Sequence, residues 1–163
     1  MDFVSHILWS FALARLFGIA NWPLFVFFAV FPDLLFGAPL AVEWLFKSAK
    51  GRFFARKELR NLVLGRLKWL GTVYHVGHSF VTIAVFSLFN WMVYGTIGLP
   101  ALGGWLMHAL VDLFMHKGGV VEAMPLYPLE WKVKGLFHWS EKWFLALNYA
   151  LLAIVYAWLF FFR

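Results

Sequence analysis

Residues 105–116 read WLMHALVDLFMH, an apolar run in which His108, Asp112 and His116 recur at intervals of four. In a helix, positions i, i+4 and i+8 drift slowly and stay on one broad face, so the three ionisable groups would form one stripe. Imidazole and carboxylate together suit a divalent cation, zinc first, with manganese or iron as alternatives. A His-x-x-x-Asp pair can grip one ion from a single helix. The ion would in turn neutralise a carboxylate that is otherwise costly to bury. His75 and His78, at i and i+3, predict a second polar face on another helix. Asp33 follows Pro32 at the end of an apolar segment, and His6 lies near the start of the chain. The expected metal ligands are therefore His6, Asp33, His78, His108, Asp112 and His116. Ser79 and His75 are the expected orienting groups beside the reaction.

Blander roles compete for the outer members of this set. His116 at a helix C-terminus would complement the helix dipole. Ser79 has no Gly-x-Ser-x-Gly elbow around it, so it reads more readily as a helix-packing hydroxyl than as a nucleophile. His138, beside Trp139, reads as an interfacial group. Pro32-Asp33 can also mark a helix end and nothing more.

The elements that must position these residues are apolar. Of the 163 residues, 63% are hydrophobic and 13% are charged, and the mean hydropathy is +0.77. Soluble domains run nearer half apolar and a quarter charged, so this is a membrane composition. Five apolar segments stand out, at about 3–20, 22–36, 72–95, 99–116 and 142–162. A span needs ~20 residues, which suits the third and fifth best, while the second is short and ends at Pro32-Asp33. Asn21-Trp22-Pro23 and the stretch from Gly95 to Pro100 read as tight turns joining antiparallel hairpins. The expected fold is an all-α, polytopic membrane bundle of about five transmembrane helices in a single domain covering 1–163.

Charge sets the expected orientation. The chain carries a formal charge of +6 and has 14 Lys and Arg. All but Arg15 and Arg163 lie in the long connection 41–71 or in the other, 117–141, with its border at Lys142. The first connection also repeats Leu59, Leu62, Val63, Leu67 and Leu70 at helical spacing, which predicts a basic amphipathic helix over 47–68 lying on the membrane. That distribution suits anionic lipid headgroups as partners and argues against nucleic acid. In the other connection Gly118-Gly119 is expected to stop the fourth helix, and Pro125 and Pro128 keep the middle irregular. Basic loops stay cytoplasmic, which predicts five crossings from a cytoplasmic N-terminus in a cell inner membrane. All six histidines then fall in, or just beneath, the same half of the bilayer. No cleavable signal is legible at the N-terminus, so the first segment is expected to remain. With no cysteine, disulfides and thiolate metal sites are excluded.

At these residues the chain resembles the bacterial inner-membrane metal-dependent hydrolases of the LexA-regulated type. The similarity rests on an ordered set spanning 5 to 128: Ser5-His6, then Phe31-Pro32-Asp33, then Gly77-His78-Ser79 where the family carries Thr-His-Ser. His108 to Asp112 follows, with Lys117-Gly118-Gly119 and Pro125-Leu126-Tyr127-Pro128 downstream. The resemblance implies a membrane-embedded, metal-dependent hydrolase. With a basic segment beside the site, an ester or phosphoester of a lipid-like molecule is the expected substrate class. Two other readings remain open from sequence: a haem protein with histidines from different helices as axial ligands, and a non-enzymatic membrane adaptor whose polar residues are helix contacts.

Overall fold

The computed structural model describes residues 1–48, 56–117 and 121–162. Its helices are α1 (Phe3–Leu16), α2 (Trp22–Ser48), α3 (Arg56–Leu64), α4 (Trp69–Gly77), α5 (Phe80–Tyr94), α6 (Leu99–Met115) and α7 (Lys142–Phe162). Among the described residues no strand forms. Two isolated bridges, His116 with His138 and Ala123 with Val133, pair extended backbone in the connection before α7. The all-helical class is therefore as the sequence predicts.

Two helices, α2 over Trp22–Phe46 and α7, are long and apolar enough to cross a membrane. Together α4 and α5 make a third candidate if their 64° bend falls within one span. Helices α1 and α6 are apolar but shorter, at 14 and 17 residues. At ~1.5 Å per residue they reach about 21 and 26 Å, short of a hydrocarbon core of ~30 Å. The structure thus provides two or three candidate spans, where the sequence suggested about five.

The second apolar segment does not end at Pro32-Asp33. Helix α2 runs on through Pro32 and Pro39 to Ser48. A proline removes one helical donor and crowds the carbonyls of the preceding turn, but a neighbouring helix can satisfy what it frees. Here the Ala29 carbonyl, one turn before Pro32, lies 2.8 Å from Nδ1 of His108 on α6.

The third segment is not one helix. It breaks at His78-Ser79 although its apolar character is continuous. Ser79 caps α5, its Oγ accepting from the N–H groups of Val81 and Thr82. Phe80 N–H donates to the Pro125 carbonyl at 2.8 Å, and Trp105 Nε1–H donates to the Gly77 carbonyl at 2.6 Å. Each bond supplies a partner that a continuous helix would otherwise provide. The basic amphipathic helix is also shorter than expected: α3 stops at Leu64, and Arg66 beyond it pairs with Glu43 of α2. Lys50, Arg52 and the Gly118-Gly119 stop lie outside the described residues.

Helices α2 and α6 together form the centre of the packing. A Cβ on Gly104 would lie 2.0 Å from the Phe25 carbonyl oxygen, so α6 and α2 touch backbone to backbone. Small residues permit such approach where lipid gives no hydrophobic drive between helices. Around that contact Ile83, Trp105 and Ala109 are buried, with Phe28, Phe31 and Phe86 packed against them. Helix α7 docks on α1 through polar rungs: Trp9 Nε1–H donates to Asn148 Oδ1 at 2.8 Å, and Tyr156 OH to the Leu8 carbonyl at 2.9 Å.

Candidate metal centre

Four helices deliver the polar groups to one place. Asp33 comes from α2, one residue after Pro32; His108 and Asp112 come from α6; His6 comes from α1. His78 is the C-cap residue of α4, with φ −108° and ψ 12°, so its side chain leaves the helix just as the chain turns towards α5. His6, His78, His108 and Asp112 are each 4% exposed or less. Asp33 keeps 24% of its side chain exposed and is the member open to the outside.

Asp33, His78, His108 and Asp112 each offer a ligand atom within 4.8 Å of all the others. Nε2 of His78 and Nε2 of His108 are 3.0 Å apart. Asp112 Oδ2 lies 3.5 Å from the first and 3.7 Å from the second. Asp33 Oδ1 is 3.9 Å from His108 Nε2. Each ring is held from behind. Nδ1–H of His78 donates to the Tyr74 carbonyl at 2.8 Å, and Nδ1–H of His108 donates to the Ala29 carbonyl at 2.8 Å. This is the arrangement that fixes a ligand histidine's tautomer and leaves Nε2 as the free lone pair.

Two such lone pairs facing each other repel unless a cation lies between them. A proton shared by the rings would satisfy the nitrogens, but it would leave Asp112 Oδ2 as it is, buried and without a hydrogen-bond partner. A divalent ion answers both. Ligand nitrogens on a tetrahedral ion with ~2.05 Å bonds stand about 3.3 Å apart, a few tenths from the separation seen. The two carboxylates supply two negative charges to the site, and the one on Asp112 also faces the Met1 ammonium. The residues present therefore fit a metal ion, and their nitrogen and oxygen donors suit zinc, manganese or iron.

The remaining sequence candidates occupy other roles. His6 is against the cluster and not in the four-residue set: Nε2–H donates to Asp112 Oδ1 at 3.0 Å, and its ring stacks on His108 at 4.1 Å. The Met1 amine also lies against Asp112 Oδ1. His116 directs Nδ1 at the Asp112 backbone carbonyl, 3.0 Å away, which occupies that nitrogen. Ser79 does not reach the cluster; besides capping α5 it donates to the Tyr127 carbonyl at 2.8 Å. His75 turns away and stacks on Tyr127 at 5.7 Å. The groups that hold the His78 and His108 rings are the backbone carbonyls of Tyr74 and Ala29, which residue type alone cannot reveal. Tyr74 was also missed. It is buried, its ring stacks on His78 at 4.0 Å, and its position four residues before His78 was the available signal.

Scanned against protein-family models, curated proteins and solved structures, the chain matches none. The site is therefore interpreted from its own geometry.

Proposed function

We propose that this protein is a membrane-embedded, metal-dependent hydrolase, with one divalent ion held by Asp33, His78, His108 and Asp112. The observation that carries the reading is the convergence of those four ligand atoms within 4.8 Å, from three separate stretches of chain. When bound, such an ion supplies Lewis acidity and an activated water at neutral pH. His78 and His108 present Nε2 because Tyr74 and Ala29 hold their other nitrogens. His6 keeps Asp112 in place. Asp33, the most exposed ligand, marks the side from which water and substrate arrive. The fold around the site is apolar, so the substrate class is an ester or phosphoester of a lipid-like molecule. The resemblance of the ordered short motifs to the inner-membrane metal-dependent hydrolases of the LexA-regulated type is in keeping with the same reading.

The same reading places the chain in a cell inner membrane with the N-terminus cytoplasmic; five crossings then require the short helices α1 and α6 to span with the bent α4–α5 pair, α2 and α7. The basic connections, all on one side in that arrangement, support it. The absence of cysteine makes the orientation testable by single-cysteine labelling at Thr96 and Ser140, which should react from opposite sides; labelling from the same side would refute it.

Haem ligation fits the site less well. Axial nitrogens on opposite sides of one iron stand about 4 Å apart, given bonds of ~2 Å, and haem leaves the two carboxylates without a role. Elemental analysis of detergent-purified protein tests the metal assignment. Wild type should carry about one zinc, manganese or iron ion per chain. Asp112→Ala and His108→Ala should each lose that ion together with hydrolytic activity. Full metal occupancy and activity in Asp112→Ala would refute the proposal.

A further inference from the structure

A second concave feature lies away from the metal cluster, where α3, α4 and the connection before α7 meet. It is an open cleft of about 480 Å³ whose walls include Arg60, Lys68, His75, Glu122 and Lys132. Lys132 Nζ pairs with Glu122 at 3.2 Å. Neither Arg60 nor Lys68 pairs with a carboxylate among the described residues, and the wall carries three cations, Arg60, Lys68 and Lys132, against one carboxylate, Glu122. His75 adds a buried Nδ1 with no hydrogen-bond partner. Part of the rim is apolar: Leu64, 58% exposed, lies in the wall with Val63 and Met124, and Trp69 and Trp131, the sequence neighbours of Lys68 and Lys132, are 49% and 59% exposed. Exposed tryptophans beside cations mark the headgroup level of a bilayer, where the ring is half in hydrocarbon and the charge is wet.

We propose that this cleft binds the phosphate of an anionic phospholipid headgroup, with Arg60, Lys68 and Lys132 as its cationic contacts. Charge selects the phosphate, and the rim selects the lipid over a free phosphate ion. Arg66 sets the contrast. It is a cation of the same connection, but it is not part of the cleft wall. The cleft adjoins the metal centre along α4: His75 in its wall precedes His78 by three residues, about 4.5 Å of helix rise. The proposal rests on the membrane placement given above and does not depend on the metal.

The test is native mass spectrometry of the full chain in detergent, titrated with phosphatidylglycerol, phosphatidylcholine or inorganic phosphate. The metal content of each sample is measured alongside. Wild type should retain phosphatidylglycerol over phosphatidylcholine by about tenfold, as expected for roughly one to two effective surface charges. Combined Arg60→Gln, Lys68→Gln and Lys132→Gln should abolish that preference at unchanged metal content. Arg66→Gln should keep it. A preference that survives the triple substitution would overturn the proposal, and so would inorganic phosphate binding as tightly as the lipid. Loss of metal in wild type with the lipid preference intact would refute the hydrolase reading alone.

Discussion

Helices α6 and α7 are alike in apolar composition and differ in use. Helix α6 buries Ala101, Gly104, Trp105, His108, Ala109 and Asp112, one residue or more in every turn. Helix α7 buries Phe144, Asn148 and Leu152 and leaves Ile154 at 65% and Phe160 at 83% exposed. Hydropathy ranks the two together because both could sit in hydrocarbon. What separates them is the glycine pair at 103–104 and the ionisable stripe that follows it. The glycines bring α6 against α2, and the stripe then faces helices that can satisfy it. Helix α7 has no such pair, meets α1 through hydrogen bonds and the Phe11–Tyr156 ring contact, and leaves much of its surface exposed.

That contrast is broken most severely by filling the α2–α6 contact. Gly104→Leu would drive a side chain into the Phe25 carbonyl, backbone that has no rotamer to yield. The cost should exceed the ~1–3 kcal/mol of ordinary overpacking. The expected outcome is a chain that does not elute as a folded species from size exclusion in detergent. Ala153→Leu on the exposed face of α7 should shift stability by no more than about 0.5 kcal/mol in the same detergent. Equal tolerance at the two positions would show that the helices are interchangeable after all.

A smaller effect separates the helices by function and not by folding. Pro32→Ala keeps the Cβ that packs near Gly77 and removes the ring that crowds the preceding turn of α2. The Ala29 carbonyl should then realign with the helix and weaken its bond to His108 Nδ1. Loss of such a supporting contact typically lowers metal affinity by ~10–100-fold. Asn148→Ala on α7 removes the bonds to Trp9 and Ser5 and should cost about 1–3 kcal/mol of stability. Its metal affinity, read by competition with a chelating dye, should stay within about twofold of wild type, since no ligand or supporting carbonyl has moved. Unchanged affinity in Pro32→Ala would mean that Ala29 does not set the His108 ring.

How far the sequence announces this site depends on whether helical phase carries the residue. His108 and Asp112 lie inside α6, so their spacing translates directly into a shared face. His75 and His78 have similar spacing, yet α4 ends at Gly77 and His78 is its cap. Its N–H still donates to the Tyr74 carbonyl at 3.0 Å, but the chain turns away beyond it and the two rings diverge: one joins the cluster and the other lines the cleft. The break itself is invisible to hydropathy, because the bonds that stabilise it come from Pro125 and Trp105, distant in sequence. Pro32 misleads in the opposite direction. Proline propensity predicts a stop, yet α2 runs on through Pro32, with His108 Nδ1–H donating to the Ala29 carbonyl in the turn before it. The supporting carbonyls of Tyr74 and Ala29 leave no mark in residue type at all.

The smallest effect concerns how α7 begins. Glu141 precedes the helix, and its Oε1 accepts the His138 backbone N–H at 3.0 Å while Oε2 accepts Trp143 Nε1–H at 2.6 Å. These donors, the His138 amide first, hold the carboxyl below the usual glutamate range. A carboxyl lowered in the folded state stabilises the fold above its unfolded value of ~4.3, and that contribution disappears as pH falls through the lower folded value. Glu141→Gln keeps an acceptor but loses the charge that strengthens both bonds. Thermal melts should therefore place wild type slightly above Glu141→Gln at pH 7, with the gap closing once the pH falls below about 4. Metal content should not differ between the two, because the Glu141 carboxylate bonds His138 and Trp143, neither of which belongs to the ligand set. A gap that stayed constant down to acid pH would assign the anchor to the shape of the side chain and not to its charge.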